Sequence, residues 1–395
     1  MANAKKTKIL ILGGGFGGLK TALELTKNSN FNVTLLSKHD DFRYYPALYE
    51  AATGGNLLAA RIPLAEIFKD KPVNIIADTA KSLDRTKRKI TGVSGKQYSY
   101  DVLIIALGVV TNYFGIKGLE KYSFGIKTVD EAEKLRDHIH KQLLDDGRPD
   151  LNYVVIGGGP TGIELAGALP AYIRHVARKH GLSERPLNID LVEAAPRVTP
   201  RMPRPYSTAV QKRLRQLGIK LYLGQAVQAA TADSLMVNDK PLDSHTVIWT
   251  AGVTNNPFFG QNKFEFGGHG KVKVNEFLQA EPDIYIIGDN ADTEYSGMAQ
   301  TALYDASFVA DNLKRQLEGK QMRAYRAKKP IYVIPVGPDW AAVLWNRTHI
   351  YGRLGWVLRS AADLRGYRDY EPWWPASKHW VAEFETEKAC QICAQ

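Results

Sequence analysis

The sequence predicts an α/β protein with two domains built on the same plan, one inserted in the other, and a C-terminal segment of different composition. Three observations support this prediction. A pattern of apolar strand, glycine turn, apolar-spaced helix and second apolar strand occurs twice, at 8–38 and 152–193. Single strand patterns that end in glycine or aspartate follow each copy. The 395 residues, 44% of them hydrophobic, are also too many for one hydrophobic core.

The first pattern begins with the strand at 8–12 and continues with Gly13, Gly15 and Gly18 in the spacing G-x-G-x-x-G. The first glycine permits a tight turn, the second lets the backbone approach a pyrophosphate, and the third lets the next helix pack closely. The start of that helix offers free N–H groups and the positive end of its dipole to phosphates. Within a βαβ unit, this motif predicts a Rossmann-like dinucleotide-binding domain.

The second pattern repeats the spacing at Gly157, Gly159 and Gly162, and its second strand ends in Glu193. A carboxylate at this position binds the free 2′-hydroxyl of NADH and repels the 2′-phosphate of NADPH. We therefore expect NADH to be the substrate of this domain, with Arg197 as a nearby cation that would weaken the preference.

The corresponding strand of the first pattern ends at Ser37 and Lys38 instead of an acidic residue. A serine hydroxyl binds a ribose more weakly than a carboxylate does, and Lys38 could serve a nearby phosphate. Two dinucleotide sites in one chain suggest that a hydride passes from one dinucleotide to another. Flavin is the expected resident acceptor, so we predict FAD in the first domain and NADH in the second.

Further patterns set the predicted domain boundaries. Residues 100–108, 246–252 and 283–289 are predicted as short buried strands, and residues 129–144 and 298–317 as helices. The predicted parts are an FAD-binding domain at 1–118 and 270–328, an NADH-binding domain at 119–269 inserted in it, and a C-terminal segment at 329–395 that is α-helical or irregular.

The C-terminal segment is rich in tryptophan and basic residues. Six of the seven tryptophans lie within 323–380, together with ten lysines and arginines and four acidic residues. The net charge of +11 would suit an anionic partner or surface, and aromatic residues beside cations favour a membrane interface as that surface. No nucleic-acid-binding motif accompanies the charge, so no nucleic-acid partner is expected. Because no apolar run approaches the roughly 18 residues of a spanning helix, we expect peripheral attachment.

Helical spacing in this segment places apolar residues on one stripe, largely opposite polar ones. The pattern fits a helix lying in the plane of a membrane surface, a helix buried against the second subunit of a homodimer, or ordinary packing within the chain. The apolar residues are Ile350, Leu354, Val357, Leu358, Ala361 and Leu364; the polar residues are Arg353, Ser360 and Asp363, with Arg359 and Arg365 at the flanks.

The only cysteines, Cys390 and Cys393, lie at the C-terminal end of the sequence. This favours a disulfide-free fold on the cytoplasmic side of the cell membrane. The apolar stretch at 8–12 is too short for a signal peptide and is instead predicted as a retained first strand. A lone C-x-x-C offers two ligands where zinc usually takes four, so no metal site is predicted.

Taken together, the motifs resemble those of type II NADH:quinone oxidoreductases, which are flavoproteins with two dinucleotide-binding domains. The resemblance extends to about residue 320. Its most specific parts are the segments around 112–115 and 249–253. The matching motifs, in the order of that family, are ILGGGFGG, YYPALYEAATG, ALGVVTNYFGIKG, VVIGGGPTGIELAGAL, TVIWTAGV and IYIIGDNA.

The resemblance implies roles for individual residues. Asp289 would bind a ribityl hydroxyl of FAD, and the helix from Ala299 would direct its N–H groups at the flavin. Glu164 would lie near the nicotinamide. Asp289 also fits a helix cap, and Glu164 a first-turn acid that the helix dipole favours. The implied FAD-binding residues are Gly13, Gly15, Phe16, Gly17, Gly18, Ser37, Lys38, Pro46, Ala106, Gly108, Asp289, Ala299 and Gln300, and the implied NADH-binding residues are Gly157, Gly159, Pro160, Thr161, Gly162, Glu193, Ala251 and Gly252.

The acceptor end departs from the family pattern, Ala-Gln-x-Ala-x-Gln. Gln300 is retained, but Tyr304 replaces the second glutamine. Both side chains can bind a quinone carbonyl, although tyrosine would narrow the site. The expected reaction is a transfer of hydride from NADH to FAD and of two electrons to a membrane quinone without proton pumping, with Glu164, Gln300 and Tyr304 as catalytic residues. Two alternatives remain. The first is a soluble flavin-dependent NADH oxidase or diaphorase that reduces oxygen or small acceptors. The second is a slow-turnover NADH-sensing flavoprotein whose NADH-induced state is recognised by a protein partner.

Overall fold

The computed structural model describes residues 6–145, 150, 152–182 and 187–385. The chain divides into two compact units. Unit 1 comprises Met1–Phe42, Ile62–Val110 and Val253–Pro330, and unit 2 comprises Arg43–Arg61, Thr111–Gly252 and Ile331–Gln395. The largest part of unit 2 is thus inserted in the sequence of unit 1. No helix in the described ranges combines the length and the apolar character needed to span a bilayer.

The structure assigns helices and strands along both units. The helices are α1 (Phe16–Leu25), α2 (Leu48–Ala51), α3 (Leu64–Ile67), α4 (Leu119–Tyr122), α5 (Val129–Leu144), α6 (Pro160–Lys179), α7 (Arg204–Gln216), α8 (Pro257–Gln261), α9 (Ala299–Leu317), α10 (Arg353–Arg368) and α11 (Trp373–Ala382). The strands are β1 (Thr7–Leu12), β2 (Phe31–Ser37), β3 (Asp41–Arg43), β4 (Arg61–Pro63), β5 (Val73–Ala77), β6 (Ala80–Asp84), β7 (Lys89–Gly92), β8 (Gln97–Ser99), β9 (Val102–Ile105), β10 (Val109–Thr111), β11 (Ser123–Phe124), β12 (Asn152–Ile156), β13 (Asn188–Glu193), β14 (Ile219–Leu223), β15 (Val227–Ala230), β16 (Ser234–Val237), β17 (Lys240–Asp243), β18 (Thr246–Trp249), β19 (Val253–Asn255), β20 (Gln279–Glu281), β21 (Ile284–Ile286), β22 (Tyr332–Pro335), β23 (Ala341–Trp345) and β24 (Thr348–Gly352).

Unit 1 is organised around a six-stranded sheet in the order β20-β21-β9-β1-β2-β5. β1 pairs in parallel with β2 and β9, and β21 pairs in parallel with β9. Ile9, Leu10, Ile11 and Leu12 of β1 are all buried, as expected for a central parallel strand with both faces covered. Parallel strands end at the same edge of a sheet, so the chain segments that follow β1, β9 and β21 lie close together there.

Unit 2 contains a five-stranded sheet in the order β11-β18-β12-β13-β14, in which every pairing is parallel. Its central strand β12 has β13 on one side and β18 on the other. The turn after β12 and the ends of β13 and β18 therefore share one edge, as in unit 1. Helix α5 begins with a capping box, in which Thr128 and Glu131 each bind the other's backbone N–H, as predicted for a helix at 129–144.

The C-terminal part of unit 2 contains the antiparallel sheet β22-β23-β24, followed by α10 and α11. In α10, the polar residues Arg359 and Asp363 are buried, whereas Leu354 and Val357 are 61% and 55% exposed. The apolar stripe is therefore not buried as a whole within the chain, because Leu354, Val357 and Ala361 are exposed and Leu358 and Leu364 are only half-buried. The first residue of the predicted stripe, Ile350, also lies in β24 and not in the helix.

Candidate functional site

In unit 1, the glycine turn after β1 leaves an open space in front of a helix start. Gly13 has φ +107°, and a Cβ atom there would lie 2.3 Å from the carbonyl oxygen of Ala106. A Cβ atom on Gly18 would lie 1.9 Å from the carbonyl oxygen of Gly13. A Cβ atom on Gly15 would meet no atom within 4 Å, and no side chain caps α1. The first N–H groups of α1 thus face a space suited to phosphates.

The strand ends beside this turn are fixed by Asn290, a buried residue that the sequence motifs did not single out. Its side-chain oxygen accepts the Gly108 N–H at 2.8 Å, and its amide nitrogen donates to the Gly108 carbonyl at 2.7 Å. These bonds join the segment after β9 to the short 3-10 helix Gly288–Asn290 that contains Asp289. Asp289, Ala106 and the glycine turn therefore lie at one edge of the sheet. The position of Asn290 directly after Asp289 was the signal in the sequence that could have indicated its role.

Helix α9 starts at Ala299, as predicted, and no side chain caps its first turn. Gln300 and Tyr304 are one turn apart and share a face of α9. Gln300 is exposed, and Tyr304 is half-buried, with its ring centre 5.6 Å from that of Tyr325. The Nζ atom of Lys328 lies 4.2 Å from the centre of the Tyr304 ring. The replacement tyrosine is therefore held by aromatic and cation–π contacts within unit 1.

The next residue of α9, Asp305, connects this helix to the strand edge. Its carboxylate accepts the Gly288 N–H at 2.9 Å and the Tyr325 hydroxyl at 2.6 Å. Burial raises the pKa of Asp305 to about 6, while these two hydrogen bonds act in the opposite direction. Sequence reasoning missed Asp305, because only the folded chain brings it together with Gly288 and Tyr325.

Four further predicted FAD-binding residues differ in their burial and local contacts. The Ser37 hydroxyl is buried and donates to the His39 carbonyl at 2.7 Å, so it can offer a ligand only its lone pairs. Lys38 is exposed. The Phe16 ring is buried edge-on against Phe42, with the ring centres 5.0 Å apart. Gly17 is also buried in the first turn of α1.

In unit 2, the glycine turn after β12 has the same construction. Gly157 has φ +114°, and a Cβ atom there would lie 2.7 Å from Thr250 Oγ1. A Cβ atom on Gly162 would lie 1.9 Å from the Gly157 carbonyl oxygen, whereas one on Gly159 would meet nothing within 4 Å. Helix α6 begins at Pro160 without a side-chain cap, and the next residue, Thr161, is exposed. This second space is again suited to phosphates.

Glu193 stands at the end of β13, where a ribose would be recognised. Its two carboxylate oxygens accept the N–H groups of Gly158 at 2.6 Å and of Ala195 at 2.7 Å. Arg197 is bound elsewhere, because its guanidinium donates to the Met202 carbonyl at 2.6 Å and to the hydroxyl of Ser207 at 2.7 Å. The Arg197 guanidinium is therefore engaged away from Glu193, whereas the Glu193 carboxylate is fixed by backbone N–H groups of the glycine turn and of Ala195.

The two segments most specific to the resemblance contact each other in unit 2. The indole N–H of Trp249 donates to the Asn112 carbonyl at 3.0 Å, and the Asn112 N–H donates to the Gly252 carbonyl at 3.1 Å. A Cβ atom on Gly252 would lie 2.5 Å from the Asn112 carbonyl oxygen, so only glycine fits. Ala251, beside it, is exposed.

Glu164 lies in the first turn and a half of α6, behind the glycine turn. Burial raises its pKa to about 8; Arg359 lowers it, and Glu50 raises it further. A neutral carboxyl group is therefore expected at neutral pH. Of the predicted FAD-binding residues, Pro46 alone falls in unit 2, where its carbonyl accepts a hydrogen bond from Arg359 at 3.3 Å.

Two glycine turns, each preceding an uncapped helix at the edge of a parallel sheet, define an oxidoreductase with two dinucleotide-binding sites. Residues 7–306 match the family described as pyridine nucleotide-disulphide oxidoreductase, and the chain belongs to that family. Its two cysteines, Cys390 and Cys393, lie outside the described residues.

Relatives and solved structures agree with this assignment. The type II NADH:quinone oxidoreductase of Staphylococcus saprophyticus is 28% identical over 390 residues, which cover 92% of this chain and 96% of that protein. The protein of the same name from Staphylococcus aureus (strain MSSA476) is 28% identical over 391 residues, with the same coverage. The structure of NDH2 from Plasmodium falciparum in complex with NADH has a TM-score of 0.87 at 18% identity, and covers 96% of this chain and 97% of that one. The sulfide:quinone oxidoreductase of Aquifex aeolicus has a TM-score of 0.78 at 20% identity, with 98% of each chain covered.

Proposed function

We propose that the protein is a type II NADH:quinone oxidoreductase that uses FAD and does not pump protons. The observation that carries the proposal is the pair of uncapped helix starts, one in each unit, with Glu193 held at the second. The Staphylococcus proteins of this name align along 92% of the chain. The overall reaction is NADH + H⁺ + quinone → NAD⁺ + quinol.

Unit 1 supplies the proposed FAD site. The space in front of Gly15 and the N–H groups of α1 would hold the pyrophosphate, and Asp289 would bind the ribityl chain. The uncapped start of α9 would offer N–H groups to the flavin ring. Bound FAD would supply the two-electron redox chemistry, which no side chain provides. The residues of unit 1 bind and orient it.

Unit 2 supplies the proposed NADH site. The start of α6 would hold the pyrophosphate, and Glu193 would accept hydrogen bonds from the ribose hydroxyls. Because Arg197 is engaged with backbone and hydroxyl oxygens, no free guanidinium from that residue would balance a 2′-phosphate. This arrangement supports NADH over NADPH. For the quinone, Gln300 and Tyr304 would offer hydrogen bonds from one face of α9.

The exposed apolar residues of α10 and α11 support peripheral attachment to a membrane surface, which we propose to be the cytoplasmic surface of the cell membrane. Trp374 is 82% exposed, and Trp373 is 53% exposed with the Arg368 guanidinium 4.9 Å from its ring centre. Leu354 and Val357 add to this exposed set. Apolar side chains and tryptophan beside arginine match the boundary between lipid headgroups and acyl chains.

Co-sedimentation with anionic liposomes tests this attachment through Val357→Asp. Burying such a side chain contributes about 1.5–3 kcal/mol, so we expect affinity to fall at least about tenfold. Val93→Asp is the matched control, because Val93 is 65% exposed and lies in unit 1. Unchanged lipid binding together with a lower oligomeric state would show that the stripe is instead a homodimer contact.

The proposed activity is tested by recording NADH oxidation and oxygen uptake together, with and without a short-chain quinone. We expect the quinone to raise the rate many-fold while oxygen uptake stays small. NADH consumption matched by oxygen uptake, with no response to quinone, would instead identify an NADH oxidase. Turnover too slow to measure with any acceptor would favour a sensing flavoprotein.

A further inference from the structure

The backbone of Gly288, the residue before Asp289, is held through both of its polar groups. Its N–H donates to Asp305 Oδ2 at 2.9 Å, and its carbonyl accepts the Ser296 hydroxyl at 2.8 Å. Gly288 adopts φ +68°, and a Cβ atom there would lie 3.2 Å from the Cβ atom of Ala302 on α9. The glycine is therefore packed against α9 in a backbone conformation that few other residues tolerate.

The residue on the other side of Asp289 is fixed as well, because Asn290 makes two hydrogen bonds to Gly108. Asp289 thus stands between two anchored neighbours at the strand edge of unit 1. The direction of its carboxylate depends on the bonds that these neighbours make. Of those bonds, the one from Gly288 ends on Asp305, a carboxyl group that is itself buried within unit 1.

The second oxygen of Asp305 is held by Tyr325, in the irregular segment after α9. The Tyr325 hydroxyl donates to Asp305 Oδ1 at 2.6 Å. Its backbone N–H donates to the Glu276 carbonyl at 2.6 Å. Its ring packs against those of Tyr304 and Phe308, with the ring centres 5.6 and 5.1 Å apart. Because both the backbone and the ring of Tyr325 are fixed, its hydroxyl holds Asp305 in one place.

The charge of Asp305 depends on a small set of neighbours. Burial raises the pKa of its carboxyl group to about 6, and the hydrogen bonds from Tyr325 and Gly288 act in the opposite direction. Asp289 raises this pKa and Lys271 lowers it. Burial also raises the pKa of Tyr325, so that its hydroxyl stays a donor. Asp305 is therefore mostly ionised at neutral pH and neutral below a pH of about 6. Further charged groups on the segments packed against α9 include Lys20 and Glu24 of α1, which pair with each other and with Lys314, and Arg323 and Lys328 after the helix.

We propose that Asp305 is a positioning residue of the flavin site, which holds Gly288 so that the Asp289 carboxylate stays directed at the ribityl chain of bound FAD. The inference rests on the proposed function, in which unit 1 binds FAD through Asp289. A hydrogen bond to a carboxylate is roughly twice as strong as one between neutral groups. Ionised Asp305 therefore keeps Gly288 and Asp289 in place, and protonation of Asp305 loosens both.

The release of FAD tests this role without NADH or an electron acceptor. Release is followed as the rise in flavin fluorescence after the FAD-loaded protein is diluted. Asp305→Asn keeps the shape of the side chain but removes its charge. We expect release at pH 7 to become at least about tenfold faster, the effect of losing a hydrogen bond to a charged group. The matched control Asp311→Asn, at an exposed residue of the same helix, should release FAD at the wild-type rate.

The pH dependence of release separates positioning from a general loss of stability. Wild-type release should accelerate as the pH falls through about 6, because Asp305 becomes neutral there, and Asp305→Asn should abolish this step. Tyr325→Phe removes a hydrogen bond that lowers the pKa of Asp305, so the step should move to a higher pH. A residue with a merely structural role would alter the release rate without moving the step.

Two results would overturn the proposed role of Asp305. The first is a wild-type release rate in Asp305→Asn, and the second is a step that stays at the same pH in Tyr325→Phe. If Asp305→Asn does not fold, the result for Tyr325→Phe decides, since that variant leaves Asp305 in place. A wild-type protein that shows the step but reduces no quinone with NADH would instead refute the proposed function and support the role of Asp305.

Discussion

Replacement of Glu164 by glutamine should make stability less sensitive to pH. Burial raises the pKa of this carboxyl from 4.5 to about 8, so the native protein binds a proton that the unfolded chain releases throughout that interval. Stability contributed by Glu164 is fully present below the unfolded pKa, and it declines as the pH rises towards the folded pKa. Glutamine preserves the shape of the neutral acid and does not titrate.

The magnitude follows from the size of the shift. One pKa unit corresponds to about 1.4 kcal/mol, so the native state loses about 3 kcal/mol between the unfolded pKa and neutral pH. Urea unfolding of wild type and Glu164→Gln across this interval should give curves that diverge by about 1.4 kcal/mol per pH unit, with the variant more stable at higher pH. The difference should become constant above a pH of about 8.

The exposed residue Glu120 provides the control, because Glu120→Gln should alter stability by less than about 0.5 kcal/mol at every pH. The reasoning would be refuted by a difference between Glu164→Gln and wild type that does not change with pH. A difference that shrinks as the pH rises would refute it too, since it would require a lowered pKa.

Three further substitutions test the proposed sites. Glu193→Gln removes the charge that repels a 2′-phosphate, so the ratio of kcat/KM for NADH to that for NADPH should fall about tenfold or more. An unchanged ratio would exclude Glu193 as the residue that selects NADH over NADPH. Gly18→Ala places a methyl group 1.9 Å from the Gly13 carbonyl oxygen, so the glycine turn should be distorted and the purified protein should retain less FAD. The absorption spectrum measures the bound FAD, and full FAD occupancy would contradict the predicted close packing of the helix on the turn. Tyr304→Gln replaces a bulky ring with an amide, so the KM for a short-chain quinone should fall about threefold or more with the KM for NADH unaltered; a rise would show that the aromatic ring itself binds the quinone.

The parts of the protein that follow from local sequence were predictable. The strand–turn–helix patterns carry their own geometric requirements, because the first glycine must adopt a positive φ and the third must accept a carbonyl oxygen at short range. Gly13 and Gly157 meet the first requirement in the structure. Helix α5 was predictable for a similar reason, since Thr128 and Glu131 form its cap within one turn.

The parts that depend on distant residues were not predictable. Periodicity located the two faces of α10 but could not show which one is buried. The burial of Arg359 and Asp363 depends on two residues that lie about 300 positions earlier in the chain. The Pro46 carbonyl accepts a hydrogen bond from Arg359, and the Tyr44 hydroxyl donates one to Asp363. The grouping of residues 43–61 with unit 2 has the same origin. The carboxyl groups that interact with Arg359 likewise come from distant segments, namely Glu50 of α2, Glu164 of α6 and Glu383 after α11.

The packing of α10 has a practical consequence for any attempt to shorten the protein or to alter its exposed apolar surface. The same helix offers Val357 to the outside and supplies Arg359 to the interior of unit 2. A truncation before α10 would therefore remove Arg359, which interacts electrostatically with Glu50, Glu164 and Glu383, along with the exposed apolar surface. Substitutions confined to exposed residues such as Leu354 and Val357 would instead change that surface and leave the interior of unit 2 intact.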